Sequence, residues 1–161
     1  MTAAELIDLY KLQPHREGGW YREVHRSDRF LGLLPGYPGE RTALTAIYFL
    51  LAAGEFSAFH RVRSEEAWVH LAGAPLELVF LEEEPRIVPL ASAGYGEPLA
   101  VVPPGVLQAA RSLGDYTLAA CLVAPGFDFA DFEIPSRERL ESAFPRHTEL
   151  VRRFTRLPSP D

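Results

Sequence analysis

Between Thr42 and Val123 the apolar residues fall into short runs broken by Gly, Pro or acidic clusters. Thr42 to Leu51, Phe56 to Val62, Glu66 to Leu71, Leu76 to Leu81, Arg86 to Leu90, Ala100 to Val102, Val106 to Arg111 and Tyr116 to Val123 each read as a strand. Such evenly spaced short strands predict a barrel or sandwich. Upstream, Trp20 to Arg26 alternates bulky and charged residues and reads as a half-exposed strand, whereas the Gly- and Pro-rich stretch Gly32 to Glu40 reads as a loop. Helical spacing is confined to the ends. Leu6, Ile7 and Tyr10 mark a helix within residues 3–11, which Pro14 is expected to close by disfavouring helix at Gln13. Two more helices are expected over 136–142 and 145–155, with Ser136 as N-cap, followed by a tail at Pro158 and Pro160 without regular structure. The fold class is therefore all-β, with short N-terminal and C-terminal helices.

Strand periodicity also assigns faces. Residues two apart share a side, so Phe56, Ala58, His60 and Val62 are expected to look one way, and Glu66, Trp68 and His70 to look one way on the next strand. If His60 points inward, the interior offers an imidazole, the Glu66 carboxyl, the Trp68 indole and the Gln108 amide, the last brought round by a turn at Gly105. In Phe127 to Glu133 aromatic and acidic residues alternate. Period two groups Phe127, Phe129 and Asp131 apart from Asp128, Ala130 and Phe132, as in an edge segment that covers the sheet with its rings; in the functional reading one of its acids lines a pocket mouth.

Composition removes several chemistries. A net charge of -6 disfavours nucleic acid as a partner, because phosphate binding needs clustered Lys and Arg. No apolar stretch is long enough to span a bilayer, so no membrane partner is expected, and an acid in Met1 to Asp8 stands where a signal peptide needs its apolar run, which makes the cytoplasm the expected location. Cys121 is the one cysteine and sits in an apolar run, where a thiol fills core and is inert. Lys11 is the one lysine, and no Gly-x-Ser-x-Gly, Walker or Gly-x-Gly-x-x-Gly pattern occurs. Acid/base work is left to His, Glu, Asp or Tyr.

Two motifs organise these residues: Gly54-x5-His60-x-Val62-x3-Glu66-x6-Gly73 and Pro103-x-Gly105-x2-Gln108. With the blocks Pro14 to Glu23, Ala46 to Leu50, Phe56 to Val62 and Val123 to Glu133, the chain resembles the cupin superfamily, and within it the family catalogued as domain of unknown function 985. The resemblance implies a double-stranded β-helix, or jelly-roll barrel, in one domain over 1–161, with a barrel core of about 19–133, a helical segment over 136–156, and a homodimer. Cupin metal centres usually carry histidine where this chain has Val62 and Gln108. The metal set that remains is His60, Glu66 and Gln108, so a divalent metal is possible but none is required.

Three functions stay open. In the first, His60 is the general base of an isomerase- or epimerase-like enzyme acting on a sugar or related polar metabolite, as in cupins of the sugar-nucleotide epimerase type, with Glu66 or Tyr21 orienting or re-protonating the substrate. The second is a metal-dependent oxygenase or isomerase using His60, Glu66 and Gln108. The third is a non-catalytic module that binds a small molecule. Trp68, Gln108, Phe49, Glu23 and Phe129 are the expected ligand contacts.

Overall fold

The computed structural model describes residues 1–158, so Pro160 of the expected tail lies outside the described residues. The chain opens with α1 (Ala3–Tyr10), whose Thr2 and Glu5 form a reciprocal capping box. The helix ends because Lys11 adopts a left-handed conformation, φ 51°. Pro14 does not end it: β1 (Gln13–Pro14) is a short strand paired with β2 (Trp20–Arg26). Part of the loop expected over 32–40 is also ordered, since β3 (Phe30–Leu33) pairs with β4 (Glu40–Thr42) as a separate hairpin.

The remaining strands are β5 (Thr45–Ala52), β6 (Phe56–His60), β7 (Glu65–Gly73), β8 (Leu76–Leu81), β9 (Arg86–Leu90), β10 (Leu99–Val102), β11 (Leu107–Ser112) and β12 (Tyr116–Ala124). They build two antiparallel sheets, ordered β1-β2-β5-β12-β7-β10 and β6-β11-β8-β9. Two further helices, α2 (Arg137–Ala143) and α3 (Thr148–Arg153), close the chain. Ser136 caps α2 by accepting from Arg139 N–H. This is a mostly-β jelly roll with cupin architecture; its sheets face each other without closing into a continuous barrel.

The sandwich is solid at one end and hollow at the other, and the strand faces show where the change occurs. On β5, Phe49 and Leu51 pack with Trp68 of β7 and with Leu78 and Phe80 of β8 into the core between the sheets. Two and four residues back along the same face, Ile47 and Thr45 line a cavity instead. On β12, Ala119 packs in the core, Cys121 belongs to both regions, and Val123 faces the cavity. On β7 the step is from Trp68 in the core to Glu66 at the cavity.

The outer faces are covered. Leu6 of α1 and the adjoining Leu12 seat on Leu50 and Leu118, and Leu140, Val151 and Phe154 of the C-terminal segment seat on Phe59, Val79 and Leu81. Burying a side chain such as Phe154 contributes about 2 kcal/mol. This fixes the four-stranded sheet from behind.

Candidate functional site

A β-bulge sets the direction of His60. Between the Gln108↔His60 and Ala110↔Ser57 pairs, β11 advances two residues while β6 advances three. Ser57 and His60 consequently turn to the same side, and Phe59 turns outward beneath the helices. The period-two expectation is corrected here: Phe56 packs against Phe154, ring centroids 6.1 Å apart, and not beside the imidazole. Val62 does share the cavity with His60.

Ser57 and His60 converge on Glu17, a residue the sequence reading did not single out. Its carboxyl accepts a hydrogen bond from Ser57 Oγ at 2.9 Å and lies 3.2 Å from His60 Nε2. The Glu17 backbone is clamped by its carbonyl, which accepts from Ala58 N–H and from the Arg156 guanidinium, each at 2.8 Å. Gly18 follows with φ 105°, pressed so closely on the Phe56 carbonyl that a Cβ would stand 2.3 Å from it. The sequence did carry a signal, the Gly18-Gly19 turn, but nothing in a linear pattern shows that it folds an acid inward.

The His60 ring is oriented by its Nδ1–H, which donates to the Ala58 carbonyl at 2.8 Å, so Nε2 is left facing Glu17. Burial raises Glu17 to about 7, against the pull of His15 and the Ser57 hydroxyl. Burial lowers His60, partly offset by the nearby Glu66 charge. Both shifts act against a charged ion pair between the two groups. His15 stands on the other side, its Nδ1 accepting Glu17 N–H at 3.2 Å and its ring set edge-on to Tyr21. Burial lowers its pKa as well.

Glu66 is held by a relay. Trp68 Nε1–H donates to Gln108 Oε1 at 2.8 Å, and Gln108 Nε2–H donates to Glu66 Oε2 at 2.7 Å. An indole can only donate, so the amide has one possible orientation. Burial raises Glu66 to about 7, with Glu17 adding to the rise and His60 opposing it. Cys121 lies on the cavity side of β12, and burial and the two carboxyls push its thiol well above the ordinary range, so it stays protonated.

The cavity measures about 500 Å³. His60, Glu66, Tyr21, Glu23 and Phe129, all expected at the site, are brought together on its wall. Trp68, Gln108 and Phe49 are placed behind that wall, with Trp68 and Phe49 edge-to-face at 5.4 Å in the solid core. Trp68 and Gln108 hold Glu66 from behind, and Phe49 packs on Trp68. His70 is turned elsewhere, bonded to the Ala74 carbonyl and to Ser92.

The mouth combines β2 with the segment after β12. A second bulge, between Glu23 and His25, brings Arg26 to the side of Tyr21 and Glu23, where it is bonded to Glu23 at 2.8 Å and to the Phe127 carbonyl at 3.2 Å. The expected extended run at 127–133 is instead a 3-10 turn, Phe129–Asp131, capped by Asp128. The turn replaces period two, so Phe127, Phe129 and Phe132 cluster edge-to-face and Asp131 points away to a buried pair with Arg41 at 2.7 Å.

A divalent ion on His60, Glu66 and Gln108 does not fit this geometry. Gln108 presents nitrogen, not oxygen, toward Glu66, and Val62 supplies no donor. Among the described residues no group of three or more His, Cys, Asp or Glu is arranged to hold a metal ion. Among the described residues, too, no helix is long and apolar enough to cross a membrane.

Comparison with known proteins places this arrangement. A hypothetical protein of Leishmania major is 30% identical, with a TM-score of 0.90 over 98% of this chain and 100% of the other. A protein of Shewanella oneidensis is 33% identical, with a TM-score of 0.85 over 98% and 99%. Oxalate decarboxylase of Bacillus subtilis shares the fold at 16% identity and a TM-score of 0.57, over 92% of this chain and 37% of that one. No curated protein matches the chain at a significant level. Residues 4–135, which carry both bulges, the Glu17 turn and the aromatic mouth, match the family described as Cupin superfamily (DUF985), and the chain belongs to that family.

Proposed function

We propose that the cavity is the active site of a proton-transfer enzyme, of isomerase or epimerase type, which acts on a small polar metabolite and needs no metal. The observation that carries this reading is the convergence of two buried carboxyls, each raised to about 7, on one oriented imidazole in a cavity of metabolite size. A group with a pKa near the working pH is suited to take or return a proton beside a carbonyl. Glu66 takes the proton from carbon through Oε1, the oxygen that Gln108 leaves free. The Glu17–His60 pair returns a proton to the substrate, and Tyr21 orients it from the mouth. The roles expected from the sequence for His60 and Glu66 are thereby exchanged.

The test is a thermal-shift screen of sugars, nucleotides, amines and carboxylates, followed by proton NMR of each stabilising compound with the protein in deuterium oxide. Loss of a carbon-bound proton signal is expected, slowed about 100-fold or more by Glu66→Gln at saturating compound. A compound that binds in the cavity yet exchanges no carbon-bound proton would overturn catalysis. It would leave the second reading, a small-ligand binding module, which the aromatic mouth favours. A cytoplasmic homodimer is part of the proposal. The exposed apolar strip of Phe30, Leu31 and Leu33 on the β3–β4 hairpin supports it, and a monomer mass by ultracentrifugation would remove it.

A further inference from the structure

We propose that the molecule this cavity takes is a cation, an organic ammonium, rather than a neutral sugar or an anion. The inference rests on the reading of the cavity as the ligand site and adds the charge of what enters.

The acceptor side is incomplete. Glu66 is only 7% exposed, and of its two oxygens Oε2 alone accepts from a nitrogen or oxygen donor. The Cys121 thiol is the other hydrogen-bond partner of this carboxyl and only a weak donor, so Glu66, on the cavity wall, keeps acceptor capacity for a ligand. A second carboxyl, that of Glu17, stands on the same wall.

Among the described residues no uncommitted cation lines the wall beside them. Arg26 lines the cavity but is committed to Glu23 and to the Phe127 carbonyl. Arg156 is committed to the backbone carbonyls of Glu17 and Phe56, and Arg41 to Asp131. His15 and His60 lose charge by burial. An anion entering here would meet two carboxyls, and the Arg16 guanidinium, over the Phe129 ring, is not on the cavity wall. A neutral polyol could hydrogen-bond Glu66 but would leave its ionised form uncompensated.

The apolar side has the matching chemistry. Phe127, Phe129 and Phe132 pack edge-to-face at the mouth with ring centroids 5.0 to 5.8 Å apart. Ring faces attract cations, and Arg16, which is not on the cavity wall, already stands 4.0 Å over Phe129. A positive charge seated between these rings and Glu66 meets a π face on one side and the carboxyl on the other.

Calorimetry with two charge-matched sets tests this: cyclohexylammonium, cyclohexanol and cyclohexanecarboxylate; and glucosamine, glucose and glucuronate. In at least one set the cation is expected to bind about tenfold or more tighter than its neutral and anionic partners, and Glu66→Gln is expected to erase that preference. The groups facing the Glu66 carboxyl are Glu17, His60, Cys121 and the neutral Gln108 amide. Cyclohexylammonium keeps its charge over the range used, so its affinity should rise about tenfold from pH 6 to pH 8 as one carboxyl proton is released. Neutral or anionic members that bind as tightly as the cation, or no binding by any member of either set, overturns the proposal. The outcome is separable from the catalytic reading. Cation preference without carbon-proton exchange removes catalysis alone, and exchange on a neutral or anionic compound removes the charge assignment alone.

Discussion

Glu17 Oε2 and His60 Nε2 meet at 3.2 Å although one lies in a glycine turn and the other at the end of β6. The contact depends on both the β6 bulge and the backbone of Gly18, whose φ of 105° and 2.3 Å Cβ clearance to Phe56 O exclude a side chain. Gly18→Ala is expected to cost more than about 1 kcal/mol, because strain in the folded backbone outweighs the entropy gained in the unfolded one. It should also pull the carboxyl away from His60. Denaturant unfolding checks the first effect, and an NMR titration of the His60 ring checks the second.

Glu66 gives the folded protein a pH signature. Its value is about 7 when folded, against 4.5 for an ordinary glutamate, so between those values the folded state binds more protons than the unfolded one. Its stabilising contribution is complete below pH 4.5 and is lost as the pH rises to about 7, leaving a standing cost on the order of 3 kcal/mol for the buried charge. Histidines with lowered values act in the opposite sense, losing stability as the pH falls below 6.5, but they are common to parent and variant. Stability of Glu66→Gln relative to the parent should therefore climb between about pH 5 and pH 8. A flat difference across that range would show that the carboxyl ionises as freely as in water.

The strands were legible because their signal is local: Trp20–Arg26, Leu76–Leu81 and Arg86–Leu90 begin and end where alternation and turn residues place them. His60 and Glu66 were legible through motif spacing. Three features were not, each because the cause is non-local. A bulge inserts one residue against a partner strand, so the face of Phe56 cannot be read from β6 alone. Glu17 is buried by contacts with Ser57 and Arg156, both distant in the chain. The turn at Phe129–Asp131 wins over extension because Arg41, on another strand, holds Asp131 outside the cavity.

The Trp68–Gln108–Glu66 relay accounts for how the chain stabilises an inner shell that departs from the usual cupin ligand pattern. Trp68→Phe removes the indole donor to Gln108 Oε1 and, among the described residues, leaves a buried acceptor unpaired, at a cost of about 1 to 3 kcal/mol. Val62→His with Gln108→His supplies two imidazoles on the side of His60 and Glu66. That double variant is expected to bind close to one equivalent of nickel or zinc by elemental analysis, while the parent, with Val62 and the nitrogen-first amide, binds much less. Equal uptake by the two proteins would mean that the ion sits elsewhere.

Arg41 and Asp131 decide whether the aromatic mouth exists. Their side chains are 6% and 3% exposed, the guanidinium donates through Nε and Nη2 to both carboxylate oxygens, and Arg63 reaches the same carboxylate from the more exposed side at 3.4 Å. Removing Arg41 strands an acid that Arg63 compensates only in part, so Arg41→Met should destabilise the fold by about 3 kcal/mol. Asp131 lies within the 3-10 turn, between Phe129 and Phe132, so freeing it unpins the rings before it disturbs either sheet. The variant should therefore lose ligand binding at temperatures where its far-ultraviolet circular dichroism is still native. The double variant Arg41→Met with Asp131→Leu, which leaves no unpaired charge, should recover most of the stability. If it recovers stability without recovering binding, the pair positions the mouth; if both return together, the pair only holds the fold.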